Sequence, residues 1–351
     1  MVRIVAIIGS FAVQFRAYAI DALQGLKRAR VRAAPVPREP MTVRKSRLSQ
    51  PDRKSVGNFT SDKGKHWPRI TIVTPSFNQG QYLEQTIVSI LSQKYPNLEY
   101  IIIDGGSSDH SLEIIRKYER WITYWTSEKD NGQAHAINKG FQKSTGDIHA
   151  YLNSDDLLTD GTLIKVAEVF ENCLKSPVIV SFAGIIFGED REDELRLPQV
   201  YPYLKYWLSY PESLFQPSTF WTKVLHDRVG EFSEELDFCF DKEFFLRCVF
   251  KYGQYIPVKG WVASKFRLHN QSKTSLLDKV MREENDKIGR YYRDIKHYRE
   301  ILTAQENIQK SFESDRLPSR LRLLVCAAWN DPRQLRNRFY LGALRKLIVE
   351  K

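Results

Sequence analysis

Ile148-His149-Ala150-Tyr151-Leu152-Asn153-Ser154-Asp155-Asp156 is the stretch on which the reading of this chain turns. A short β-forming run ends abruptly on an amide and two acids. Two carboxylates directly after a buried strand suit a hard divalent cation, because Mg2+ and Mn2+ in phosphate sites take one or two carboxylates alongside substrate oxygens. The same acids could instead cap the helix suggested by Leu163 and Val166. The segments on either side bear on that choice.

The pattern recurs upstream. Arg69-Ile70-Thr71-Ile72-Val73-Thr74 is a β-rich run that ends in Pro75-Ser76-Phe77-Asn78, and Glu99-Tyr100-Ile101-Ile102-Ile103-Asp104 is closed by Gly105-Gly106-Ser107-Ser108-Asp109. Leu83, Ile87, Ile90 and Leu91 follow helical spacing between them. Leu112, Ile115 and Tyr118 begin a second amphipathic helix with Asp109 placed to cap it. Ile122 to Trp125 reads as a third strand, and Ala134, Ile137 and Phe141 as a third helix. Near-continuous apolar strands alternating with helices imply an α/β fold with a parallel sheet covered on both faces. Ligands of such sheets sit beyond the carboxyl ends of the strands, so the three polar clusters should share one edge. A carboxylate at Asp104 could accept a hydrogen bond from a nucleobase N–H, while the glycines let a nucleotide approach. A polar cap on an ordinary turn would use the same residues.

Past residue 176 the pattern loosens. Val178 to Ile186 reads as a strand, Asp190 to Arg196 as a charged loop, Phe240 to Tyr252 as a helix, Trp261 to Leu268 as a late strand, and 275–305 as a long mixed-charge helical stretch.

The net charge of +11 is concentrated at the ends: residues 1–67 carry +10 and residues 316–351 carry +7, which leaves the middle at −6. An acidic middle between basic ends argues against nucleic acid as the partner. The four cysteines form no CxxC pair and fit thiols in a reducing compartment. No run reaches the ~18 apolar residues of a membrane span, and Val2 to Phe15 lacks the layout of a signal peptide.

Taken together, Thr74-Pro75-Ser76-Phe77-Asn78, Asp104 to Asp109, Asp130-Asn131-Gly132-Gln133-Ala134 with Ala136-Ile137-Asn138-Lys139-Gly140, Asn153 to Asp156 and Asp241 to Arg247 resemble the inverting family 2 glycosyltransferases of the GT-A fold. The resemblance covers about residues 68–270. It implies a GT-A domain at 68–274, with a nucleotide-binding half at 68–160 and an acceptor half at 161–274. A basic flexible extension at 1–67 and a helical basic one at 275–351 would flank it. It also implies a nucleoside diphosphate sugar donor, uridine diphosphate in many members, and Mn2+ or Mg2+ as cofactor. Thr74, Pro75, Ser76, Asn78, Asp104, Gly105, Gly106, Asn131, Gln133, Asn138, Asn153 and Ser154 would bind the nucleotide sugar. Asp155 would hold the metal, with His269 beside it, and Asp241 would be the general base with Glu243 in reserve.

The residue types suit that division, since inverting displacement needs one carboxylate on the leaving-group side and a separate one to take the acceptor proton. Three positions depart from the family pattern: Asn153 and Gly105 stand where Asp is common, and Phe240 where Glu is. The acceptor is expected to be a saccharide or a lipid-linked saccharide. The C-terminus from Leu317, where Trp329, Phe339, Leu344 and Leu347 mix with eight basic residues, is expected either to lie on an anionic membrane surface or to pack as a basic helix. The expected setting is cytoplasmic, peripheral at the inner face of the membrane. The competing reading, a non-catalytic sugar-nucleotide binder or scaffold, rests on Asn153 and Phe240.

Overall fold

The computed structural model describes residues 67–189, 191–199, 208, 214–252, 255–270, 272–273, 278–294, 296–313 and 323–328. Apart from Trp67 and residues 323–328, the extensions expected at 1–67 and beyond 316 lie outside these. The chain forms two compact units, Arg47–Leu302 and a second made of Met1–Ser46 with Thr303–Lys351. The sheet and the candidate site belong to the first.

Strand alternation builds the core. In β1 (Ile70–Ser76) and β2 (Leu98–Asp104), Ile70, Ile72, Tyr100 and Ile102 enter one apolar cluster, while Val73, Ile101 and Ile103 enter another. Successive side chains of a strand point to opposite faces, so the continuous apolar runs are strands buried on both sides. Leu83, Ile87 and Ile90 of α1 (Gly80–Leu91) and Ile114 and Ile115 of α2 (Ser111–Tyr118) cover one face, with Leu163, Val166 and Phe170 of α4 (Thr162–Phe170). Ala134, Ile137 and Phe141 of α3 (Gln133–Gln142) cover the other. They are joined there by Leu225 of α5 (Lys223–Val229), Phe244 of α6 (Phe240–Arg247) and Ile288 of α7 (Asp278–Asp294).

With β3 (Tyr124–Ser127), β4 (Ile148–Tyr151), β5 (Leu157–Leu158), β6 (Ile179–Phe187), β8 (Thr219–Thr222) and β9 (Tyr255–Arg267), the sheet runs β3-β2-β1-β4-β8-β6-β9-β5, and β7 (Glu194–Arg196) pairs with β6. The first four strands are parallel, as the sequence implies. The second half differs: β8 runs antiparallel to β4 and β6, and β5 runs antiparallel to β9. β6 and β9 pair in parallel across a long excursion of the chain, so this half is mixed. The expected helix over 240–252 is α-helical only to Arg247 and finishes as a π-turn at Cys248–Tyr252. The charged loop contains β7. The long helical stretch is two helices, α7 and α8 (Lys296–Glu313).

The strand register brings the polar clusters to one edge. Ser76 pairs with Asp104 and Asp104 with Ser127, so β1, β2 and β3 end flush. In β4, Tyr151 pairs with Val73, and Leu152 N–H donates to Val73 O before the chain reaches Asn153. Strand order reverses between β1 and β4, and a crevice opens at such a switch point.

Candidate active site

At the β2 end, Asp104 is fully buried and its carboxylate is occupied from within. Oδ1 accepts from Ser107 Oγ at 2.6 Å. Oδ2 accepts from Ser107 N at 2.9 Å, Gly106 N at 3.2 Å and Ser127 Oγ at 2.7 Å. It shapes the Gly105–Ser108 turn, with three of these bonds on Oδ2 and one on Oδ1. Gly106 has φ +81, a left-handed backbone that favours glycine. A Cβ at Gly105 would come within 2.8 Å of Asp130 Oδ2. An aspartate at position 105 would require the Asp130 carboxylate to move aside.

The β1 end is tied to this turn. Asn78 N–H donates to Ser107 Oγ at 2.8 Å, and Asn78 Oδ1 accepts from Ser108 N at 2.9 Å. Asp109 accepts from Ser111 N at the start of α2 and also from Gly80 N at the start of α1, so one side chain satisfies two helix beginnings. Thr74 is buried against Tyr100 OH at 3.3 Å, and Pro75 and Ser76 are buried at the strand end.

At the β4 end, Asp155 and Asp156 have separate tasks, and neither caps α4, which starts at Thr162 beyond β5. Asp156 is fully buried, and its Oδ1 accepts from Arg267 N at 2.9 Å. Burial and the neighbouring Asp155 charge push its carboxyl well above the ordinary range. Asp155 is partly exposed, with Oδ2 3.1 Å from His269 Nε2. Thr86 Oγ pins the loop through Ser154 O and Asp156 O at 2.9 and 2.8 Å. The Arg267 guanidinium, stacked between Tyr82 and Phe187, donates to Asp155 O at 2.9 Å.

The amide at 153 has a reason. Gln216 Nε2 donates to Tyr151 O at 2.8 Å, which turns Gln216 Oε1 toward Asn153 Nδ2 at 3.4 Å. Asn153 Nδ2 also lies 3.3 Å from Asp156 Oδ2, and its Oδ1 accepts from Gln133 Nε2 at 2.7 Å. A carboxylate here would face two acceptors, so this network requires a donor.

Asn131 is exposed, and its N–H donates to His135 Nδ1 at 3.3 Å. Asn138, expected at the nucleotide, is buried elsewhere. Its Oδ1 accepts from Phe232 N at 2.9 Å, and its Nδ2 donates to Phe232 O at 3.0 Å and Glu234 Oε1 at 2.9 Å. It clamps the segment leading into α6.

That helix presents Asp241 in its first turn. Loss of water around the carboxyl raises Asp241 to about 6, opposed by the Lys242 N–H and the Lys242 and Lys273 charges. Glu243 is bound up with Arg247, which donates from Nε at 2.8 Å and Nη2 at 2.9 Å. The guanidinium also donates to Val229 O and Glu231 O. Phe240, where Glu is common, is buried among Tyr151, Phe232 and Phe244, a place that would strand a charge.

Lys273 joins the two sides, since its Nζ donates to Asp237 O at 2.6 Å and lies 3.5 Å from Gln133 Oε1. Asn153, Gln133 and Lys273 thus form a chain of contacts from the Asp155 loop to the segment before Asp241. Gln216 opens Gln216 to Trp221, a segment that resembles the family's acceptor side, and Arg267 lies two residues before His269, whereas Lys273 has no signal in the sequence.

A parallel half joined to a mixed half, with acids at the carboxyl edge of the parallel strands, matches the GT-A fold. Residues 71–228 match the family described as Glycosyl transferase family 2. Over those residues, somewhat under half of its length, the chain is similar to family 2 glycosyltransferases. It is 29% identical over 184 residues to an "Uncharacterized glycosyltransferase" of Mycobacterium tuberculosis, covering 51% of this chain and 68% of that one. It is 39% identical over 133 residues to one of Haemophilus influenzae, covering 37% of this chain and about half, 52%, of the relative. Over 94 residues it is 36% identical to the putative teichuronic acid biosynthesis glycosyltransferase TuaG of Bacillus subtilis, covering 25% and 36%. Among solved structures, S. aureus TarS 1-349 in complex with UDP-GlcNAc superposes with TM-score 0.54 at 16% identity, covering 80% of this chain and 90% of that one. The mannosyltransferase PcManGT of Pyrobaculum calidifontis, in complex with GDP-Man and Mn2+, gives 0.50 at 17% identity, covering 82% and 88%.

Proposed function

We propose that this glycosyltransferase moves a sugar from a uridine diphosphate sugar to a saccharide or lipid-linked saccharide, with inversion and with the help of Mn2+ or Mg2+. The observation that carries the proposal is the placing of two carboxylates on different elements joined by the Asn153–Gln133–Lys273 contacts: Asp155, paired with His269, and the desolvated Asp241. Asp155 and His269 offer one carboxylate oxygen and one imidazole nitrogen. That donor set fits a small divalent cation whose remaining positions go to diphosphate oxygens and water. Such a cation neutralises charge on the leaving diphosphate.

The residues of the chain do the rest. Asn78, Gly105 and Gly106 shape the nucleotide end of the crevice. Gln133 and Asn153 fix the loop that aims Asp155. Asp241 takes the acceptor hydroxyl proton, and a carboxyl raised to about 6 is a stronger base than an ordinary one while still ionised at neutral pH. TarS binding of UDP-GlcNAc supports a uridine nucleotide, and the printed name of TuaG supports polysaccharide assembly. The catalytic body is proposed to span 68–274.

A thermal-shift panel of UDP, GDP and CDP sugars with Mn2+ and Mg2+ tests this, since a ligand that binds the folded state raises its melting temperature. UDP sugars should stabilise only with the metal, and Asp155→Ala should remove that dependence. Stabilisation by UDP sugars that ignores both metal and Asp155 would sink the metal assignment, and stabilisation only by GDP or CDP sugars would sink the donor.

A further inference from the structure

We propose that Glu284, on α7, is a positioning residue for catalysis: its carboxylate fixes the lead-in to α6 and so holds Asp241 in place. The inference rests on Asp241 as the base. It concerns a helix that lies outside both the family match and the nucleotide-binding half.

The geometry is specific. Three successive peptide N–H groups just before and at the cap of α6 converge on one carboxylate. Asp237 N donates to Glu284 Oε1 at 2.7 Å, and Phe238 N and Cys239 N donate to Oε2 at 2.9 and 2.7 Å. Cys239 occupies the cap position of α6 and makes no side-chain cap of its own, so Glu284 supplies the cap from another element. A row of peptide N–H groups at a helix start is a ready anion site, and here the anion is built in.

The same face of α7 holds the other side of Asp241. Asn285 Oδ1 accepts from Lys242 Nζ at 2.7 Å, and Lys242 Nζ also donates to Leu208 O. Met281 O accepts from Cys239 Sγ at 3.6 Å. Ile288 and Tyr292 continue this face, one and two turns on, into the cluster containing Phe240 and Phe244. Residues 237–239 and 242 are therefore gripped on both sides of residue 241, and Asp241 has no comparable fixing of its own beyond the Lys242 N–H.

The chemistry calls for a carboxylate. Glutamine offers one acceptor oxygen and would turn an NH2 group toward an N–H donor. Aspartate keeps both oxygens on a shorter arm. A reacting group displaced by about 1 Å loses on the order of 100-fold in rate. The groups that set the charge environment of Asp241 are Lys242 on its own helix, Lys273 on the following segment, Tyr151 on β4 and Cys239 at the cap.

The test uses the full chain carrying Glu284→Gln or Glu284→Asp, with Asp241→Asn alongside. Three readouts are taken: UDP binding with Mn2+ by calorimetry; titration of the Asp241 carboxyl by 13C NMR; and UDP release, per folded molecule, from UDP-GlcNAc, UDP-glucose and UDP-galactose. Glu284→Gln should leave UDP affinity within about twofold. It should move the Asp241 titration by about half a pH unit or more, and lower turnover about tenfold or more at unchanged donor KM. Glu284→Asp should fall between. A purely structural role would lower the melting temperature and leave Asp241 titration and per-molecule turnover as in the wild type, and that result overturns the proposal. If Glu284→Gln does not fold, Glu284→Asp carries the same readouts. If no donor is cleaved, the titration decides alone. Normal turnover in Asp241→Asn would remove the base assignment and this role with it. An inactive Asp241→Asn beside a wild-type-like Glu284→Gln removes only the positioning role.

Discussion

Replacing Asp241 with asparagine should abolish transfer and yet stabilise the ligand-free protein. The carboxyl rises from an ordinary 3.8 to about 6, chiefly because burial strips it of water. Each pH unit of such a rise corresponds to ~1.4 kcal/mol, so ionised Asp241 destabilises the fold by roughly 3 kcal/mol at most. Asp241 is only partly buried by its neighbours, which brings a realistic figure nearer ~1–2 kcal/mol.

The sign follows from proton uptake. The folded state binds this proton more readily than the unfolded chain, so the penalty is fully present above about pH 6 and disappears as pH falls toward about 4. Asparagine carries no such charge and keeps an acceptor for the Lys242 N–H, which bonds Asp241 Oδ1 at 2.6 Å. Urea unfolding of wild type and Asp241→Asn at pH 4, 5, 6 and 7.5 should show the variant more stable at neutral pH and the two curves converging near about pH 4. UDP binding should survive, while transfer falls on the order of 100-fold to 10,000-fold. A variant that is less stable at pH 7.5, or whose advantage grows with acidity, refutes the desolvation account. Near-normal turnover refutes the base.

Two further outcomes follow from the described geometry. Arg267→Lys keeps the charge but loses the hydrogen bonds to Asp155 O and Gln85 Oε1 and the stacking on Tyr82 and Phe187. It should destabilise by about 2 kcal/mol in urea titration and raise the Mn2+ concentration needed for UDP binding, and unchanged values on both counts would show that the arginine is incidental. Burial pushes His226 down to about 4 and His149 well below its usual value. The stability they confer is complete above about pH 6.5 and declines as pH falls toward about 4, so His226→Gln should flatten the acid limb of a pH-dependent unfolding curve, and an identical limb would remove His226 from the account.

Much of the nucleotide-binding half is legible in the sequence. Apolar runs such as Ile70 to Val73 and Ile101 to Ile103 allow only strands buried on both faces. The abrupt polar ends at Asn78, Asp104 and Asn153 then mark the ligand edge without any structure, because backbone alternation and strand direction place them there. The mixed half is less legible, since β5 and β7 are two or three residues long and β5 pairs with β9 about a hundred residues along the chain.

Residue types alone nominated the carboxylates, and local chemistry cannot go further. Only the tertiary structure divides Asp155, facing His269, from its neighbour Asp156, buried under Arg267. Only it shows Asp104 bonded within its own turn and to Ser127, Asn138 holding Phe232, and Glu243 locked to Arg247. Each outcome is set by which donors arrive from segments tens of residues away, as Arg267 does at Asp156 and Glu284 does at the start of α6. Hydrogen bonds between distant segments have no signature in spacing or composition, and in this protein they decide which acids remain available for chemistry.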